Sequence, residues 1–269
     1  MLRQVWALKG GQEVKEGYVA LLDVLGFSDL AGGDHTGGRM GRYLECVRDT
    51  MQGQAIDYVV FSDSIVLNAK GDNPEPLVAV AGACSRLLGA LLNEGIALRG
   101  AIAFGGFVRE SFGESVFVAG RAVIDAYRYE KLQNWIGVMI APSAVARVPD
   151  LRDRCRLPGD GVAVSFKDVE AMFPWPAIIR PCHAIPFHGS NPFEPSEFDG
   201  FAVVPTNGAL ELAAVRDSIK AAMDRLAWLR TIAPTPDSQL KYQRTLNWLN
   251  QLHSRWHDLA FAKGQAAGG

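Results

Sequence analysis

The sequence lacks the marks of several large protein classes. Its four cysteines, Cys46, Cys84, Cys155 and Cys182, are scattered without Cys-x-x-Cys spacing. That pattern excludes a zinc ribbon or a dense disulfide frame and reads as reduced thiols. No unbroken apolar run approaches the roughly 20 residues of a membrane span. There is no long basic run and the net charge is −2, so a nucleic-acid backbone is not the expected main partner. The first 17 residues hold one short apolar patch broken by Lys9 and two glycines, unlike a signal or transit peptide. Together these absences predict a soluble cytoplasmic protein with neither membrane nor nucleic acid as partner. Histidine is also sparse. His253 and His257 stand four apart in a helical stretch with no evident third ligand, so they read as surface or packing residues.

What is present can build a core. Apolar residues make up 48% of the 269-residue chain and charged residues 21%, enough for one large domain or for a catalytic domain with an appendage. Residues 18–23 are a continuous apolar run, which predicts a strand covered on both faces. A helix is expected from about Gly38, and a hairpin over 56–61 and 64–69 turning at Ser62-Asp63. A long helix follows Pro74 and ends near Gly95, then a strand from Ile96 to about Phe104. Residues 107–118 suit a second hairpin arm, 121–132 a helix and 136–140 a strand. The order β α β β α β β α β predicts an α+β sandwich with helices on one face of a mostly antiparallel sheet. Most of the 14 prolines lie between 149 and 206. That region is expected to be irregular, with short strands at 162–166 and 200–204. Two amphipathic helices, 208–231 and 237–262, are expected beyond it, joined at Pro234-Thr-Pro236, with a disordered tail over 263–269. Trp228, Trp248 and Trp256 read as helix-packing residues.

The chemistry centres on two acids. Asp23 ends the first apolar strand, and the chain then turns through Gly26; Asp63 sits in the hairpin turn between two further apolar strands. Two carboxylates at the ends of neighbouring strands are a recurring way to hold Mg²⁺ or Mn²⁺, which keep their remaining sites for water and phosphate oxygens. Gly26 lets the amides after Asp23 close around a triphosphate as a nest of donors. Either acid alone reads equally well as a turn-capping residue. Arg99 lies inside an apolar strand and needs an anionic partner, a phosphate or an acid such as Glu94. Arg128 can serve catalysis or simply pair with Asp125 one turn earlier. Ser62 and Ser64 can bond phosphate or their own backbone.

Four motifs in order, Asp23-x-x-Gly-Phe-Ser, Phe-Ser-Asp63-Ser-Ile, Leu-Arg99-Gly-Ala-Ile and Gly120-x-x-Val-x-x-Ala-x-Arg128, resemble the class III nucleotidyl cyclase domain. The resemblance covers about residues 18–145. It implies a ferredoxin-like palm of the class III cyclase type, working as a head-to-tail homodimer with sites at the interface and two Mg²⁺ or Mn²⁺ per site. By that resemblance Asp23, Val24 and Asp63 match the metal site. Leu25, Gly26, Phe27, Ser28 and Arg99 match the phosphate site, and Arg128 of the partner subunit matches the arginine that stabilises the transition state. The implied division is a lead-in over 1–17, a cyclase domain over 18–148, and a C-terminal extension over 149–262 packed on the core or the dimer.

The departures from that pattern carry information. Ile124 stands where the family has Asn, Val59 where purine cyclases have Lys, and Phe117 falls near the partner acid of the adenine pair. A site without those groups cannot read a purine edge. In this, and in the segment Ala126-Tyr-x-x-Glu130-Lys131, the chain resembles the Pycsar pyrimidine cyclases, bacterial antiphage enzymes that make cyclic UMP or cyclic CMP. The resemblance implies UTP, less so CTP, as substrate and a downstream effector reached only through the messenger. Tyr58, Val59 and Phe117 become the base-binding candidates, with plain sheet packing as their other reading. An adenylate or guanylate cyclase with unusual base contacts, or an inactive nucleotide-binding sensor, remain the alternatives.

Overall fold

A computed structural model describes residues 14–28, 38–113, 115–148, 178–179, 201–203 and 212–266. The expected strand at 162–166, Cys155, Cys182, His183, His188 and residues 267–269 lie outside the described residues. The elements are β1 (Lys15–Val24), α1 (Gly38–Met51), β2 (Asp57–Phe61), β3 (Ser64–Lys70), α2 (Pro74–Asn93), β4 (Leu98–Phe112), β5 (Ser115–Gly120) and α3 (Arg121–Leu132). There follow β6 (Gly137–Ile140), the single turn α4 (Pro142–Val145), β7 (Ile178–Ile179), β8 (Phe201–Val203), α5 (Leu212–Ile232) and α6 (Pro236–Ala266). Helical backbone therefore continues past residue 263, where the sequence reading starts a tail.

The sheet order is β2-β3-β1-β4-β6-β8-β7, with β5 paired to the outer part of β4. Its first four strands are antiparallel to one another. With α1 and α2 as the crossovers, they form the βαββαβ palm expected from the sequence. The β4–β6 pair is parallel, while β6–β8 and β7–β8 are antiparallel.

β1 explains the layering. Tyr18, Ala20, Leu22 and Val24 point to one face, into a core with Tyr43, Val47 and Met51 of α1 and the inner side of α2. Val19 and Leu21 point to the other, against Ala122, Ala126 and Tyr129 of α3. The continuous apolar run reads correctly as a strand covered twice. The accompanying expectation of helices on one face is corrected, because Val19 and Leu21, which point away from the first core, are apolar too and pack under α3.

One further expectation changes. Residues 96–104 and 107–118 are not separate arms: β4 runs unbroken for 15 residues, leaving the core at Phe107 and continuing as the ribbon that pairs with β5. Among the described residues one helix, α2, is long and apolar enough by length and composition to cross a membrane. Leu77, Val80, Cys84, Leu87, Leu88 and Leu91 place most of it in the protein core.

The C-terminal helices add a second core on the α3 side of the sheet. Ile219, Leu226, Leu246, Trp248 and Leu249 pack on Ala101, Trp135, Ile136 and Met139. The Trp135 and Trp248 rings meet edge to face at 5.7 Å. Trp228 is 48% exposed, with the Arg225 guanidinium 5.4 Å from its ring centre, so only part of its surface packs.

Candidate active site

The end of β1 is pinned from both sides. The Val24 N–H donates to the Asp63 carbonyl at 2.8 Å, and the Leu25 N–H donates to the Ala97 carbonyl at 2.9 Å. The chain then turns at Gly26, whose φ of +71° suits glycine and leaves its α-carbon facing open space. In the β2–β3 hairpin Ser62 adopts φ +55°, the left-handed conformation that tight two-residue hairpins require. Asp63 follows directly, so its backbone lies beside Val24.

Across this end of the sheet, Phe61, Ser64, Asp23 and Arg99 are successive register partners on β2, β3, β1 and β4. Directly opposed residues share a face, and this row faces α3. Ser64 Oγ donates to Asp63 Oδ1 at 3.4 Å. Phe61 is 78% exposed at the open end of the row.

The charges in the row are already coupled. Arg99 Nη2 stands 3.4 Å from Asp23 Oδ2 and 2.5 Å from Glu130 Oε1 of α3, while Nη1 donates to the Gln133 carbonyl at 3.2 Å. Glu130 is fully buried, and its second oxygen lies 3.4 Å from Lys131 Nζ. Burial pushes the Glu130 carboxyl above the usual carboxylate range; Arg99 pulls it down and the Asp23 charge pushes it up. Gln133 locks the loop behind Arg99 by donating to the carbonyls of Trp135 at 3.2 Å and Gly137 at 2.6 Å.

The remaining predicted residues fall in three places. Val24 is buried on the α1–α2 face, so only its backbone faces the turn. Leu25 packs against the α5–α6 core, and Phe27 sits edge-on to Tyr43 at 6.1 Å; Gly26 and Ser28 are exposed. Tyr58 packs into the main core, on the face opposite Asp23. Val59, two residues before Phe61, shares the Asp23 face. Phe117 is 49% exposed on β5. Arg128 projects from α3, its side chain 62% exposed and 3.7 Å from Asp125, which also holds Arg121 at 2.8 Å. Within this one chain, then, Asp23, Asp63, Arg99 and the Leu25–Ser28 turn come together, and Arg128, Phe117 and Tyr58 do not join them. Glu130 and Phe61 were missed as site residues. Counting by twos along β2 and β3 would have placed Phe61 and Ser64 on one face, whereas nothing local pairs Glu130 with Arg99.

Hard carboxylate oxygens are the donors that Mg²⁺ and Mn²⁺ prefer, and two suffice when nucleotide phosphates supply the rest. Asp23 and Asp63 at neighbouring backbone positions fit that requirement. Among the described residues no group of three or more His, Cys, Asp or Glu gathers to hold a metal. A cleft of about 770 Å³ lies at the far end of the β2–β3 hairpin, around Gln54, Asp57, Asn68 and Lys70, away from these acids.

No protein-family model matches the sequence. No curated protein matches it either. Among solved structures, the chain is similar to the adenylyl cyclase CyaB from P. aeruginosa at 15% identity, over 56% of this chain and 91% of that one, with a TM-score of 0.44. It is similar to the guanylyl cyclase Cya2 at 14% identity, over 56% and 89%, with a TM-score of 0.45. A class III adenylyl cyclase-like ATP-binding protein from Pseudomonas aeruginosa shares 12% identity over 59% of this chain and 40% of that one, with a TM-score of 0.41.

Proposed function

We propose that this protein is a nucleotide cyclase that converts a pyrimidine nucleoside triphosphate, UTP before CTP, to the 3′,5′-cyclic nucleotide and pyrophosphate. The observation that carries the reading is the register that sets Asp23 of β1 beside the Asp63 turn, with Val24 N–H bonded to the Asp63 carbonyl at 2.8 Å. In the reaction the substrate's 3′-oxygen loses its proton and bonds to the α-phosphorus in line, while the α–β bridging bond breaks and pyrophosphate leaves. Two bound Mg²⁺ or Mn²⁺ would supply charge neutralisation at the reacting phosphates. Asp23 and Asp63 would hold them. The Leu25 N–H is taken by the Ala97 carbonyl, so the amides of Gly26–Ser28 and the Arg99 guanidinium would face the phosphates, and Arg128 of the partner subunit would complete the site in a homodimer. Ile124 and Tyr127 on α3 and Val116 and Phe117 on β5 are 40–57% exposed, apolar surface suited to a second copy.

The pyrimidine choice rests on Val59, which offers no hydrogen bond to a purine edge, and on the resemblance to antiphage pyrimidine cyclases. By the same resemblance the product is a messenger in antiphage defence, made in the cytoplasm and read by a separate effector. One observation favours a second reading, an inactive nucleotide sensor: Arg99 is already engaged by two carboxylates, and the position of the family's Asn is the exposed Ile124. Incubating the purified chain with each of the four ribonucleoside triphosphates and Mn²⁺ tests both. Cyclic UMP or cyclic CMP is the expected product. Cyclic AMP or cyclic GMP alone overturns the pyrimidine assignment, and nucleotide binding without pyrophosphate release establishes the sensor instead.

A further inference from the structure

We propose that Glu130 is a positioning residue that keeps Asp23 available to a divalent cation by holding Arg99 back from it. The proposal rests on the reading of Asp23 and Asp63 as the metal-binding acids. A carboxylate with no solvent exposure needs a cationic partner, and for Glu130 that partner is Arg99. One guanidinium nitrogen, Nη2, is shared: it stands 2.5 Å from Glu130 and 3.4 Å from Asp23. The nearer acid therefore takes the larger share of the arginine's charge. Asp23, Arg99 and Glu130 together carry one net negative charge. Without the charge on Glu130 the trio is neutral, and Arg99 has only Asp23 to balance it. A metal ion at Asp23 would then compete directly with a guanidinium. Lys131 also approaches Glu130, but its side chain is 46% exposed and its charge is largely met by solvent. The Gln133 carbonyl holds the opposite side of the guanidinium at 3.2 Å, which fixes where Arg99 sits along the row.

A plain structural role for the Arg99–Glu130 pair predicts a loss of stability and nothing specific at the metal acids. Mn²⁺ binding to the full-length protein without nucleotide separates the two, with free Mn²⁺ counted by electron paramagnetic resonance. Glu130→Gln keeps the side-chain shape and removes the charge. It is expected to raise the Mn²⁺ dissociation constant about tenfold. The double variant Arg99→Gln, Glu130→Gln removes the competitor as well and is expected to bind Mn²⁺ at least as tightly as the wild type. Unchanged Mn²⁺ affinity in Glu130→Gln, beside a wild type that loses binding on Asp23→Asn, overturns the role of Glu130 and leaves the metal assignment standing. So does a loss in Glu130→Gln that the double variant does not restore. A wild type that binds no Mn²⁺, or binds it equally well as Asp23→Asn, overturns the metal assignment and this proposal together. If Glu130→Gln does not fold, the double variant decides alone: weaker binding than wild type rejects the proposal.

Discussion

Thr245 of α6 satisfies both backbone groups of Ile136, a residue 109 positions earlier. Its hydroxyl accepts the Ile136 N–H at 2.8 Å and donates to the Ile136 carbonyl at 2.9 Å. Ile136 is buried directly before β6, in the loop that begins with Gln133, whose carbonyl holds Arg99. The C-terminal helices are thus bonded to the segment that backs the candidate site, and Leu25 touches the same core from the other side.

Thr245→Val should therefore destabilise the whole protein. It keeps the shape and leaves a buried N–H and a buried carbonyl short of a partner, at a cost of about 1–3 kcal/mol. Trp248→Ala, which opens a cavity against Trp135, should cost about 3–5 kcal/mol. Urea unfolding followed by circular dichroism should show one transition moved to lower urea in each variant. A separate early transition for α5 and α6 would show that the two cores unfold independently.

Asp23→Asn and Asp63→Asn should each abolish cyclisation while leaving the melting temperature within a few degrees of wild type. Both acids sit at strand ends rather than in the core. With metal positioning lost, a fall of about a thousandfold or more in kcat is expected. Chromatographic measurement of cyclic nucleotide checks this, and retained activity in either variant would remove that residue from the site.

Tyr43 provides a pH test. Its ring is fully buried and its hydroxyl has no hydrogen-bond partner among the described residues. Burial, with the Asp63 charge adding to it, pushes its pKa from 10.0 up to about 12. Between those values the folded chain holds a proton that the unfolded chain has released. The stability contributed by the neutral phenol is complete below pH 10 and is lost as pH rises toward 12. Tyr18, likewise raised to about 12, acts in the same direction. Tyr43→Phe should be neutral or stabilising by up to about 1 kcal/mol at pH 7, and it should lose less stability than wild type between pH 10 and 12. An equal or steeper alkaline loss, read from urea midpoints at pH 7 and pH 11, would contradict the assignment.

Arg128→Ala should separate function from folding. The exposed pair with Asp125 contributes little to stability, within about 0.5 kcal/mol. A fall in kcat of about a hundredfold or more is expected if the side chain reaches a site across a dimer. Mixing Arg128→Ala with Asp63→Asn should then restore part of the activity, since heterodimers assemble one intact site. No recovery on mixing would place Arg128 outside the active centre.

Gly100→Ala probes the strand pair that carries Arg99 and Asp23. A Cβ there would lie 2.5 Å from the Leu21 carbonyl oxygen and 2.6 Å from Leu22 Cδ2. The carbonyl belongs to the neighbouring strand and can yield only if the pairing spreads. A loss of about 1–3 kcal/mol is expected, together with reduced activity because the Asp23–Arg99 register shifts. Calorimetry beside a turnover assay checks both parts.

Much of the fold was legible because it is written in local periodicity. The unbroken run Tyr18–Leu22 marks a strand buried twice, and apolar residues at helical spacing in α1, α2, α3, α5 and α6 mark amphipathic helices. Pro74 and Gly95 bracket α2 through the dihedral angles that proline and glycine allow. The continuity of β4 was less legible: the expected strand stops at about Phe104, yet β4 runs on through Gly105 and Gly106 to pair with β5. The face occupied by Tyr58 was not legible either, since it depends on how β2 registers on β3 and not on β2 itself.

The candidate site divides along the same line. Sequence alone was enough to set Asp23 at the end of an apolar strand and Asp63 in a hairpin turn, because strand endings and turns are encoded within a few residues. Only the tertiary structure decided that Arg99 lies between Asp23 and Glu130. That relation joins residues 76 positions apart through strand register and adds a carboxylate delivered by the docking of α3 on the far face of the sheet. Ion pairs of this kind follow from packing geometry summed over the whole core, and no stretch of neighbouring residues carries that sum.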